Sequence, residues 1–294
     1  MSPDLESRLR RRFGDDGLRE YASAQAAGLS MPVQVGPYFL AAQEQHPLTL
    51  GAFADAVGES DFDADLRDAL RLGTDQGAEL CVTLDGSVRA VFLGLDLPAM
   101  HVGASVEAFA TGLLLLDQAL PRIAGVDDPT EGFPVLSELR RELLALDPGA
   151  FEDREGWWPR VLDDIRLPLN VASSAAFEVV GEDGEGRIFT EATRPGLPHP
   201  EELLWYRLAG GGVEPDAVSR VYCELEPCLM PGHYCALWMA RMFPNAEFTH
   251  SFPYGPSARI REDGARALVV HLAEQEQRGD QPRTRGSWSD DRTG

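Results

Sequence analysis

The stretch Leu197-Pro198-His199-Pro200-Glu201-Glu202 sets an imidazole and a carboxylate two residues apart. Further on, Glu226-Pro227-Cys228 and Pro231-Gly232-His233-Tyr234-Cys235 supply a pair of thiols. Pro200 suits the first turn of a helix, where its missing N–H would have had no partner anyway. His199 is then expected at the helix cap, Glu201 in the first turn, and Cys235 in the first turn of the next helix. Helix starts and a nearby metal both favour thiolate over thiol. One imidazole and two sulfurs suit zinc, and three protein ligands out of four leave a corner for water, the mark of a catalytic rather than a structural site. Water held there ionises at roughly pH 7 in the best sites, instead of about 15.7. Glu201 is placed to handle its proton without ligating the metal.

Plainer readings stand beside this one. Cys228 alone would pass for a small buried apolar residue; only the joint order and placement argue for a metal. Cys223, on an expected strand, points into the core on the simplest reading. The rival is a closed structural zinc site built from Cys223, Cys228, His233 and Cys235, which leaves His199 unexplained. Glu202, Glu224 and Glu226 are expected to be solvated or strand-edge charges, His233 a loop residue, and Arg259, Arg261 and Arg266 exposed and solubilising. His250, Phe252 and Tyr254 lie where a base could stack, although Phe252 reads as core. His46 and His101 have no partner pattern.

The elements that must carry these residues fall into two rhythms. The first half predicts a charged helix over 4–13, a strand broken by a Gly-Pro turn over 32–40, and a short acidic helix over 61–72. A hairpin follows over 78–93 around Asp85-Gly86, the strongest short hairpin signal. Val106, Phe109, Leu113, Leu116 and Leu120 recur at three and four, predicting an amphipathic helix with a core-facing stripe. Helices over 134–146 and around Trp157-Trp158 complete an α+β domain. After residue 170 the pattern becomes strands over 176–181 and 187–192, a helix over 200–209, a strand over 218–225, a helix over 232–243, a strand over 246–252 and a helix over 260–275. That β-β-α-β-α-β-α order is a three-layer α/β/α arrangement with a mixed sheet. Expected boundaries are 1–170, 171–277, and a polar, disordered tail over 278–294.

A chain of 294 residues fits two domains at roughly 100–200 residues each. With 44% apolar and 25% charged residues, wholesale disorder is excluded. No apolar run approaches the ~18 residues of a membrane span, and the first residues lack the apolar stretch of a secretory signal, so a cytoplasmic location is expected. All 26 cations are arginine, against 48 acids, for a net charge of −22. Residues 1–170 hold 14 arginines against 29 acids, and residues 171–294 hold 12 against 19. Such acidity disfavours generic coating of nucleic acid and suits a basic protein partner, above all for the first half. Four cysteines, three of them within 223–235, read as metal or catalysis before disulfide.

An H-x-E followed by Pro227-Cys228 and Cys235 on this element order resembles the cytidine-deaminase-like superfamily. The form Tyr222-Cys223-Glu224-Leu225-Glu226-Pro227-Cys228 to Pro231-Gly232-His233-Tyr234-Cys235 is similar to the nucleic-acid and nucleotide deaminase domains of bacterial polymorphic toxin systems. The resemblance implies zinc held by His199, Cys228 and Cys235, with Glu201 as proton shuttle. It further implies hydrolytic removal of the exocyclic amine of cytosine or adenine, in a nucleotide or a single-stranded nucleic acid. One feature departs from the pattern: six residues, not two, separate the cysteines, so the Pro-Gly insertion has to bulge out for the sulfurs to converge.

More weakly, Val35-Gly36-Pro37-Tyr38-Phe39, Gly77-Ala78-Glu79-Leu80-Cys81-Val82, Ser105-Val106-Glu107-Ala108-Phe109 and the Trp157-Trp158 helix resemble the SUKH immunity-protein superfamily, fourth group. That likeness implies an α+β fold that binds toxins. Two functions are therefore expected: a zinc deaminase in a toxin and immunity setting, or an interaction protein that neutralises a basic toxin through residues 1–170, with the deaminase fold inactive or structural.

Overall fold

The structure, a computed structural model, describes residues 2–21, 29–43, 48–59, 61–181 and 183–277. The expected tail over 278–294, and His46, lie outside the described residues.

The first half is built from α1 (Pro3–Phe13), β1 (Leu18–Tyr21), β2 (Leu29–Pro32), β3 (Gln34–Val35), β4 (Phe39–Ala41), α2 (Leu50–Val57), β5 (Leu70–Thr74), β6 (Glu79–Val82), β7 (Val88–Val91), β8 (Met100–Gly103), α3 (Val106–Ala124), α4 (Gly132–Leu146) and α5 (Trp157–Asn170). Strands β3 to β8 form one antiparallel sheet in sequence order, and β1 and β2 pair separately. Helix α3 starts where Ser105 Oγ accepts from the Ala108 N–H, an N-cap that satisfies one of the unpaired donors of a helix start. Its stripe of Phe109, Leu113 and Leu116 is fully buried and packs with Phe39, Leu80 and Trp157 in one core.

The expected helix over 61–72 is not formed. A single 3-10 turn, Ala64–Leu66, gives way to β5, in which Leu70, Arg71 and Leu72 are all buried. Burial on both sides of a strand mimics a short helical run, and the acidic residues before it strengthen that false reading. Arg71 tolerates the interior because Glu79 pairs with it at 2.6 Å and the ring of Phe53 lies under its guanidinium.

The second half runs β9 (Ser174–Val180), β10 (Gly186–Ala192), α6 (Pro200–Gly210), β11 (Val218–Leu225), α7 (Cys235–Met242), β12 (Glu247–Phe252) and α8 (Ala258–Gln277), the order expected from the sequence. Its sheet has the order β10-β9-β11-β12. Strand β9 is antiparallel to both neighbours, while β11 and β12 are parallel, so the sheet is mixed. A parallel pair needs a crossover connection, here the segment carrying α7. Phe177, Leu204, Val221, Met239, Phe243 and Leu268 close the second core. This topology brings the start of α6 and the start of α7 to the carboxyl end of β11, where open α/β sheets place their ligands.

The two cores interlock. Tyr234, from the second half, is buried in the core of the first, with Leu229 and Leu237 packed against the same cluster. Arg160 of α5 donates to the carbonyl oxygens of Leu229 at 3.2 Å and Pro256 at 2.8 Å. Among the described residues, no helix is long and apolar enough to cross a membrane.

Candidate metal centre

His199 is the N-cap of α6, in extended backbone conformation, and its N–H donates to Glu202 Oε2 at 2.9 Å. From there its ring reaches between the cysteines. Nδ1 lies 3.5 Å from Cys228 Sγ and 3.4 Å from Cys235 Sγ. Nitrogen and sulfur bound to one tetrahedral zinc at its usual bond lengths stand about 3.5 Å apart, so the three atoms have the spacing of a common coordination sphere. His199, Cys228 and Cys235 thus converge as the sequence predicts. Cys223 belongs to neither of the two groups of metal-competent side chains found among the described residues.

Electrostatics favour a cation at this point. Burial would push the Cys228 thiol up, but the hydrogen bond to Cys235 and the His199 imidazole outweigh it and hold Cys228 well below its ordinary value. Cys235 is pushed well up by burial and by the sulfur of Cys228 beside it. Two buried sulfurs side by side oppose a second negative charge unless a cation offsets it. Glu201 is buried too, its Oε2 4.0 Å from Cys235 Sγ. Burial raises its carboxyl above the usual range, with the His199 imidazole partly opposing the shift. The Cys223 thiol is itself raised by burial and by the nearby Glu201 carboxylate. Cys223 therefore lies in the core, as the simplest reading has it.

The insertion between the cysteines bulges into the amino-terminal domain. Gly232 N–H donates to the Asp75 carbonyl at 2.9 Å, and Gln76 Nε2 donates to the Gly232 carbonyl at 2.8 Å. Tyr234 OH donates to Asp75 Oδ2 at 2.9 Å, beside a second bond from Trp157 Nε1 at 2.8 Å. Tyr234 has left-handed backbone, φ 44° and ψ 47°, a conformation that costs a bulky residue free energy and persists only where surroundings enforce it. Here the enforcing contacts belong to the other domain. Gly77 leaves room for them: a Cβ at that position would stand 2.2 Å from the Tyr234 ring.

On its far side the His199 ring stacks on His233, centroids 3.8 Å apart and planes 11° from parallel. His233 Nδ1 is 2.6 Å from Glu202 Oε2. Both Nε2 atoms face Asp164 of α5, His199 at 3.0 Å from Oδ1 and His233 at 3.3 Å from Oδ2. Tyr38 OH donates to the same Oδ2 at 2.8 Å. Burial works against the Asp164 charge, but the two imidazoles overcome it and hold the carboxyl well below the usual range. Glu202 is thus buried and bonded rather than solvated, and His233 is more than a loop residue. Asp164 had a legible signal, being an acid on the buried stripe of α5 among Val161, Leu162 and Ile165, where charges are rarely found unpaired.

Two hollows flank His199. The smaller, about 30 Å³, is lined by His199, Glu201, Cys228, Tyr254 and the 193–198 loop. It holds water but not a base. The larger, about 640 Å³, runs between the domains past Tyr38, Gln76, Glu202 and His233. Glu201 and Cys228 line only the smaller one, which is therefore where chemistry would occur. Tyr254 is buried at its wall, whereas His250 is exposed on β12. Arg261, expected at the surface, is buried and paired with Glu155 at 3.0 Å across the domain boundary. Glu224 accepts from Ser174 N–H and Oγ–H, and Glu226 from Tyr254 N–H, so both serve as local anchors.

Comparison with protein-family models gives two matches. Residues 18–164, half of the chain, match the model described as SUKH-4 immunity protein. Residues 170–271 match the model described as Xanthomonas-like deaminase. No curated protein and no solved structure matches.

Proposed function

The chain belongs to the SUKH-4 immunity proteins through residues 18–164 and carries a deaminase domain over 170–271, and from that premise we propose that it is a zinc-dependent hydrolytic deaminase of a nucleobase, cytosine or adenine, acting in a bacterial toxin and immunity setting. The observation that carries this reading is His199 Nδ1 between two sulfurs at 3.5 and 3.4 Å, with the carboxylate of Glu201 beside Cys235. His199, Cys228 and Cys235 would hold the zinc, which when bound supplies ionised water near neutral pH.

The remaining work falls to the protein. Water adds at the ring carbon, the C–N bond to the exocyclic amine breaks, and ammonia leaves. Glu201 takes the proton of the attacking water and returns it to the ring nitrogen, then carries a second proton to the departing amine. Its raised carboxyl suits both tasks, because a group that must accept and donate works best with its pKa moved toward the working pH. Tyr254 and the 193–198 loop wall the cavity, and its small volume requires that loop to give way before a base enters.

The purified protein should contain one zinc per chain, and His199→Ala should contain none. Cytidine, deoxycytidine, adenosine and single-stranded DNA, each tested for ammonia release, identify the substrate. No metal in the wild-type protein, or metal lost from Cys223→Ser alone, would overturn the ligand set.

A second reading rests on the match to an immunity family and on the 14 arginines against 29 acids in residues 1–170. The amino-terminal domain would capture a basic toxin, and the two activities are compatible. Salt-sensitive capture of a basic toxin by the full-length chain tests it.

A further inference from the structure

The carboxylate that faces the candidate metal-binding imidazole comes from the other domain. We propose that Asp164 is a positioning residue for His199, so that the SUKH domain completes the deaminase centre of its own chain. This rests on the zinc reading above.

A histidine that gives Nδ1 to a metal keeps its proton on Nε2, and metal-binding histidines almost always pass that proton to a carboxylate, a carbonyl or water. Here Asp164 Oδ1 stands 3.0 Å from His199 Nε2. The contact is an ion pair, short of a well-aligned hydrogen bond, and Oδ1 has no other polar partner. Asp164 is 3% exposed, and a buried carboxylate is retained only where charge and hydrogen bonds offset its desolvation. Its second oxygen is already held by Tyr38 and His233. The oxygen left over is aimed at the ring whose opposite nitrogen faces the sulfurs.

The rest of the network keeps that ring from turning. His233 lies parallel to it at 3.8 Å, and the two rings present their Nε2 atoms to the two arms of one carboxylate. Glu202 Oε2 then ties His233 Nδ1 to the backbone N–H of His199. Asp164, His199 and His233 also form the second metal-competent group. Stacked, nearly parallel rings send their Nε2 lone pairs side by side rather than to a common point, so that group suits a carboxylate clamp better than an ion.

Carboxylate and ring stay in register because the domains are locked. The Pro231–Tyr234 insertion is held by Asp75, Gln76 and the first core. Two contacts that fix the centre, Asp164 on His199 and Asp75 on the inter-cysteine segment, thus come from the SUKH domain.

The test uses full-length wild type, Asp164→Asn, Asp164→Ala, Tyr38→Phe and His199→Ala. Zinc affinity is measured by chelator competition, cobalt(II) absorption reports thiolate ligation, and thermal unfolding of the metal-free proteins reports the fold. Wild type should bind both metals and show sulfur-to-cobalt charge transfer. Asp164→Asn should fold and lose 10–100-fold in zinc affinity, the usual scale for removing such a partner, with a shifted cobalt spectrum; Asp164→Ala should lose at least as much. Tyr38→Phe, which removes one of the two contacts that hold Asp164 Oδ2, should lose several-fold; it decides the matter if the Asp164 variants fail to fold. Wild-type affinity and spectrum in all three, with His199→Ala metal-free, would overturn the positioning role and leave the zinc reading intact. Cobalt bound without sulfur charge transfer, or no metal in the wild type, would overturn both.

Discussion

Tyr234 OH sits 2.9 Å from Asp75 Oδ2, joining the residue next to a candidate metal ligand to the core of the other domain. The ring is fully buried there, edge-on to Phe92. Truncation to Ala removes an aromatic from a packed interior and should cost roughly 3–5 kcal/mol of stability, measured by denaturant unfolding. Tyr234→Phe, which loses only the hydroxyl, should cost about 1 kcal/mol. If the link serves the centre, zinc affinity should fall further in the Ala variant than in the Phe variant.

Asp75 itself has a pH signature. Burial raises its carboxyl to about 6, against the opposing bonds from Ala78 N–H, Trp157 and Tyr234. The folded state then holds a proton that the unfolded chain, with an Asp pKa of about 4, gives up. A raised folded pKa adds stability at low pH that is lost as pH climbs through the folded value. Asp75→Asn removes this titration. Wild-type stability minus that of Asp75→Asn should therefore fall by about 1 kcal/mol between pH 5 and pH 7.5. A difference that is flat or rising with pH contradicts the assignment.

Gly77→Ala should be costly although Gly77 bears no side chain of its own. The added Cβ would meet the Tyr234 ring at 2.2 Å. Ring and loop must retreat, at about 1–3 kcal/mol for overpacking of this kind. Alanine at Gly86, where nothing lies within 4 Å but φ is +86°, would cost stability by backbone strain alone. A fall in zinc affinity for the first variant without one for the second would separate contact from strain.

Glu201→Gln should retain zinc and fold while turnover falls by about 10²–10⁴-fold, the usual range for a proton-transfer group. Cys223→Ser, which leaves a hydroxyl facing the carboxylate, should retain zinc and lose far less. Equal turnover in Glu201→Gln and wild type would remove that residue from the proposed chemistry.

The half after residue 170 was legible almost element by element. Val218–Leu225 and the helix starts at Pro200 and Cys235 are set by local chemistry: β-branched strand residues, a proline suited to a first turn, and an apolar period. The same local signals carried His199, Glu201, Cys228 and Cys235. The partners of Asp164 and Asp75 lie 35 and 159 residues away, beyond any spacing rule, so for Asp164 only its place on a buried helix stripe is legible. Strand β5 resembles helix in the sequence for a related reason. Arg71, an unpromising strand residue, is stabilised inside the protein by Glu79 and Phe53, which only tertiary structure supplies.

The short stretch joining the paired cysteines is packed by one half of the polypeptide while its sulfurs serve the other. Cleavage between the halves would thus strip the catalyst of its scaffolding instead of liberating it, and genetic exchange of either portion alone would have to rebuild that seam.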